Sequence, residues 1–145
     1  MSCYVSFFLG DFTQEDQDNF NWDKVPCLLS VSTRNDIGQH INKFDYNKAT
    51  LVTREVVEKI RVDLDAMIRE KKDSIREYKE IKDSILKNLP NKIDEYEDAT
   101  YHLSELKAEI EEIEEEITFI VKQQGKLDTI EDLLYGKFSI TAVVG

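Results

Sequence analysis

Three stretches of the chain alternate between apolar and polar positions with a period of two. In the first, Cys3, Val5, Phe7 and Leu9 oppose Ser2, Tyr4, Ser6 and Phe8; in the second, Cys27, Leu29 and Val31 oppose Leu28, Ser30 and Ser32. In the third, Phe138, Ile140, Ala142 and Val144 oppose Ser139, Thr141 and Val143. Successive side chains of a strand leave on opposite faces, so this period in β-branched and aromatic residues predicts half-buried strands. Pro26 is tolerable where it stands, at a strand's start. The three strands are expected in one small sheet, antiparallel at least in part, that brings the two chain ends together.

Between the first two strands, Gly10 to Lys24 is acidic yet carries Phe12, Phe20 and Trp22. Thr13 followed by Asp16 can cap a short helical turn there. The aromatics either tuck against the sheet or form a contact loop for a partner, a role in which exposed Trp and Phe are common. After the second strand Ile37, Ile41 and Phe44 stand at helical spacing and predict a short amphipathic helix.

From about Thr53 to Asn88, and again from about Asn91 to Gln124, the period becomes that of a helix, with no internal glycine or proline. Each segment would run about 50 Å at 1.5 Å per residue. Proline disfavours helix in the residue before it, so Leu89-Pro90-Asn91 marks a turn. Gly125 is read as the end of the second helix, a short helical turn follows from about Asp128, and Gly136 suits its C-terminal cap.

The second helix carries the clearer seam. Tyr96, Ala99, Leu103, Leu106, Ile110, Ile113, Ile117 and Ile120 alternate spacings of three and four, a heptad pattern of the coiled-coil kind held for about four heptads. The first helix answers with Val57, Ile60, Leu64, Met67, Ile68, Ile75, Tyr78, Ile81, Ile85 and Leu89, interrupted where Lys71 and Ser74 take core-like positions. A tight turn at 89–91 makes the helices antiparallel and pairs residues whose numbers sum to about 180. Ile81 then faces Ala99, Ile75 faces Leu106 and Leu64 faces Ile117, while Arg69, Lys71 and Lys72 fall beside Glu109 and Glu112. The predicted fold is therefore α+β: residues 1–52 and 126–145 form a small β-containing base, and 53–125 an antiparallel helical hairpin inserted between its strands, as one folding unit.

Charge sharpens this picture. The chain of 145 residues has a formal net charge of −11, and 34% of its residues are charged. Between Thr53 and Asn88 there are 10 basic and 9 acidic residues; between Asn91 and Gln124 there are 3 and 11. The negative charge is densest at Glu109, Glu111, Glu112, Glu114, Glu115 and Glu116. This run is either a solvated helix face, a contact surface for a basic partner, or a carboxylate array imitating nucleic-acid phosphates. Direct binding to nucleic acid or to an anionic membrane is disfavoured, because phosphates would be repelled. No stretch approaches the roughly 18 to 20 apolar residues of a membrane span, and Met1 to Leu9 lacks the flank and apolar run of a secretory signal. Cys3 and Cys27 suit neither a disulfide framework nor a metal site, which points to a reducing cytoplasm, the host's or a virion's setting if a phage encodes the protein.

Catalytic chemistry is hard to assemble from these residues. His40 and His102 are the only histidines; glycine-rich phosphate loops, paired metal-ligand spacings and nucleophile elbows are absent. Asp16 and Asp18 lack the glycine and glutamate that complete a calcium loop. Carboxylates on exposed helix faces stay ionised and do not make general acids. The expectation is a non-enzyme without metal or cofactor. Such a chain suits a structural or assembly protein of bacterial or phage origin that associates with itself or with a larger complex. The alternative is a small acidic inhibitor of a basic or nucleic-acid-binding enzyme.

Overall fold

A computed structural model describes residues 3–13, 22–89 and 93–145; for Trp22, Ile93 and Asp94 it describes the backbone only. The architecture is α+β, a four-stranded antiparallel sheet and two long helices that form a hairpin. The strands are β1 (Tyr4–Leu9), β2 (Cys27–Ser32), β3 (Ala49–Leu51) and β4 (Ile140–Val144). The helices are α1 (Asp36–Ile41), α2 (Arg54–Lys87) and α3 (Ile93–Tyr135), with a 3₁₀ turn at Trp22–Lys24. Two compact units result, Met1–Asp65 with Val121–Gly145, and Ala66–Ile120.

In the first unit the strand order is β2-β1-β4-β3, so the two ends of the chain supply the two central strands. Val5 pairs with Val144, Phe7 with Ala142 and Leu9 with Ile140, and the Gly145 amide donates to the Tyr4 carbonyl at 3.0 Å. The alternation seen in the sequence is realised on this face: Val5, Phe7, Leu29, Val31, Ile140, Ala142 and Val144 are buried. With them Ile37 and Ile41 of α1, Val57, Ile60 and Leu64 of α2, and Leu127 and Ile130 of α3 complete the core. Burying a side chain of this size stabilises by about 1.5–3 kcal/mol. The register slips between Phe7 and Phe8, which pair with Leu29 and Cys27 and leave Leu28 over. That bulge turns Cys27 out of the alternation, and it is exposed.

Helix α1 starts where Asn35 caps it, its side chain accepting from the Gly38 amide at 2.7 Å. Gly38 is needed for close packing, since a Cβ there would lie 1.7 Å from the Ser32 carbonyl oxygen. Phe44, beyond the helix, stands edge-on to Phe7 with ring centres 5.4 Å apart. Thr53 starts α2 in the same manner, its hydroxyl accepting from the Val56 amide at 3.2 Å.

Four points of the sequence reading need correction. Strand β3 has no counterpart in the sequence reading, because three residues are too few to display an alternation. Phe138 lies before β4 and is 56% exposed. Gly125 does not end the second helix: α3 continues through it to Tyr135 and absorbs the separate turn expected from Asp128. One glycine costs a helix about 1 kcal/mol, which the helix formers on either side outweigh. The cap also sits one residue later than expected. Lys137, with φ +67°, holds the left-handed position; its amide donates to the Leu134 carbonyl and that of Phe138 to the Leu133 carbonyl, the paired bonds of a Schellman motif. The cap proposed at Thr13 with Asp16 falls outside the described residues. Thr13 itself bonds back to Asp11, its hydroxyl donating at 2.8 Å.

Candidate functional site: the helical arm and its charged surfaces

Burial along the arm follows the seam read from the sequence, but unevenly. Met67, Leu106, Ile110 and Ile120 are buried, and Ile68, Ile75, Tyr78, Ile85, Ala99, Leu103, Ile113 and Ile117 are half-buried. Approaching the turn the seam opens to solvent: Ile81 is 43% exposed, Leu89 40% and Tyr96 54%. Lys71 and Ser74 interrupt the apolar series as expected, and both are half-buried inward positions.

Lys71 forms an ion pair with Glu116, side chains 23% and 39% exposed. Its expected neighbour was Glu109, one heptad earlier. The hydrophobic seam repeats every seven residues, so sliding one helix by a heptad again sets apolar positions against apolar ones. The glutamate run is about a heptad long, so Lys71 finds a carboxylate in either register. Neither signal used to set the register could tell these two arrangements apart.

Of the acidic run, Glu109, Glu111, Glu112, Glu114 and Glu115 are exposed, and among the described residues only Glu116 of the six has an ion-pair partner. Two shallow grooves run along this arm. One, of about 380 Å³, is lined by Ser84, Ile85, Asn88, Asp98, Ala99 and His102. The other, of about 360 Å³, is lined by Tyr78, Leu106 and Ala108 with His102, Glu105 and Glu109. His102 borders both. Nothing in the hydrophobic pattern points to these grooves, because their walls come from two helices whose relative register the pattern leaves open by a heptad. Nearby, the Tyr101 hydroxyl bonds Glu105, and that bond together with the carboxylate's charge raises the phenol above its ordinary pKa.

The first unit supplies further polar contacts. Arg61 on α2 reaches both Asp128 and Glu131 on α3, the latter at 2.9 Å. Burial works against its charge, but the two carboxylates outweigh burial and raise its pKa. Asp63 pairs with Lys43, and that hydrogen bond lowers the carboxyl below its ordinary value. The Gln124 amide donates to Asp65 at 2.6 Å, while the buried Gln123 carboxamide oxygen meets no donor among the described residues. The fully buried Thr141 hydroxyl donates to the Gly10 carbonyl at 2.6 Å and accepts from the Phe12 amide at 3.2 Å.

Of the loop aromatics, Phe12 is half-buried with its ring over Gly10, where φ is +129° and a Cβ would lie 2.4 Å from the ring. Phe20 and the Trp22 side chain fall outside the described residues. So do Asp16 and Asp18. Among the described residues no group of three or more His, Cys, Asp or Glu is placed to hold a metal ion, and no helix is long and apolar enough to cross a membrane. Compared with known proteins, the chain matches no family model, no curated protein and no solved structure.

Proposed function

We propose that this chain is a non-enzymatic structural or assembly protein that acts through protein–protein contacts, its helical arm packing as a coiled coil against further copies of itself. The observation that carries this reading is the opening of the seam toward the turn, where Ile81, Leu89 and Tyr96 are each exposed by 40% or more. Isolated exposed apolar residues are ordinary, but a heptad seam that its own hairpin leaves uncovered gains stability when further helices cover it. Light scattering of the purified chain at low and at high salt tests the reading. An oligomer at both salts is expected, because apolar burial is not screened; a monomer at both overturns it.

A second reading rests on the exposed Glu109, Glu111, Glu112, Glu114 and Glu115. These carboxylates would hold a basic surface of an enzyme that otherwise binds nucleic acid. Such binding would weaken steeply with salt, and reversing Glu111, Glu112 and Glu115 to Lys would abolish it while leaving the solution mass unchanged.

A further inference from the structure

The two flanks of the arm's seam differ in charge. On α2 the seam positions Leu64, Met67, Lys71, Ser74, Tyr78, Ile81 and Ile85 keep the spacing of a heptad, and on α3 so do Leu103, Leu106, Ile110, Ile113, Ile117 and Ile120. Residues just before or just after these positions flank the seam on either side. One flank carries Glu70, Glu77 and Ser84 on α2, and His102, Glu109 and Glu116 on α3. Three of them are seen together in the grooves, Ser84 and His102 lining one and His102 and Glu109 the other. The opposite flank carries Ile68, Ile75 and Lys82 on α2, with Lys107 and Glu114 on α3. There the two isoleucines are half-buried rather than buried, and Lys107 and Glu114 are exposed.

We infer that a second copy of this chain seats on the flank formed by Ile68, Ile75, Lys82, Lys107 and Glu114, an inference that rests on the assembly reading above. Two copies each bearing −11 repel one another, so association has to bring together a surface without net negative charge. The Glu70–Glu77–Glu109–Glu116 flank would place glutamates against glutamates. The opposite flank has two lysines to one glutamate and two incompletely covered isoleucines. In a two-fold contact the same surface meets itself, so Lys82 and Lys107 of each copy can approach Glu114 of the other while Ile68 and Ile75 lose their remaining water. The acidic flank and its grooves then stay on the outside of the assembly.

The test is sedimentation equilibrium of the full chain, with far-ultraviolet circular dichroism of every variant. Lys82→Glu with Lys107→Glu should weaken self-association by about tenfold or more at unchanged helicity. Glu70→Gln with Glu77→Gln should leave it within about twofold. A wild-type oligomer indifferent to the lysine reversals overturns this flank assignment and leaves the assembly reading standing; a monomeric wild type overturns both. Should the reversals cost helicity, cross-linking decides. In a Cys3→Ser, Cys27→Ser background, Lys107→Cys should link copies through a flexible bis-maleimide and Glu109→Cys should not. Equal linking at both sites overturns the inference.

Discussion

The partner that Lys71 takes on α3 can be tested with a pair of double-mutant cycles. Lys71→Ala, Glu116→Ala and the double variant report the coupling of the observed pair. Lys71→Ala with Glu109→Ala reports the coupling that the sequence reading expects. Two unit charges about 4 Å apart interact by about 4 kcal/mol at an effective dielectric of 20 and about 1 kcal/mol in water. With side chains 23% and 39% exposed, the pair lies toward the aqueous limit, and ordering two long side chains offsets part of the gain. A coupling of about 1 kcal/mol is expected. Glu109 lies one heptad away, about 10 Å along the axis, which is a Debye length or more at physiological salt; its coupling should stay below about 0.3 kcal/mol. Urea unfolding followed at 222 nm supplies the free energies, and raising the salt should shrink the first coupling while barely changing the second. If Glu109 couples to Lys71 as strongly as Glu116 does, the assignment of Lys71 to Glu116 is wrong.

Three further predictions test the first unit and the ends of its elements. Exchanging the cap residues should stabilise: Lys137→Gly by about 0.5–1 kcal/mol, because relief of the left-handed strain exceeds the added unfolded-state entropy, and Gly136→Ala by a few tenths of a kcal/mol or more; a loss of about 1 kcal/mol from Gly136→Ala in thermal unfolding would put the left-handed position back at Gly136. Two other glycine-to-alanine changes should have opposite signs, Gly125→Ala gaining about 0.8–1 kcal/mol on an open helix surface and Gly38→Ala losing about 2 kcal/mol or more against the Ser32 carbonyl, both read from urea midpoints. Finally, the lowered pKa of Asp63 means that its pairing with Lys43 contributes stability above the carboxyl's unfolded value and loses it as pH falls through the lower folded value. The stability difference between wild type and Asp63→Asn should therefore be constant near neutrality and vanish in acid, and a difference that persists in strong acid would rule out this pairing as its source.

Long periodic signals were the legible ones. Strands β1, β2 and β4 and both long helices could be read because each repeats its pattern several times over. Strand β3 is too short to repeat anything, and its place at the sheet edge beside β4 depends on pairing across most of the chain. The cap at Lys137 was obscured because glycine is the residue expected in a left-handed position, and here it stands one residue earlier. The glutamate run was legible as exposed because ionised side chains stay in water whatever the register. The grooves beside His102 were not, since they exist only once the two helices are set against each other.

The pairing of β1 with β4 also bears on the order in which the molecule takes shape. The two central strands come from opposite ends of the chain, so the sheet closes a loop of nearly its whole length, at an entropic cost of about 4 kcal/mol before any contact repays it. The arm asks for no such closure, because its partners are joined through a short connection. On a ribosome the hairpin can therefore form while β1 still waits for a partner, and the sheet completes only after β4 emerges. Because the ends finish side by side, linking them and opening the chain at the turn of the arm would reverse that order, making the sheet a local event and the arm a late one.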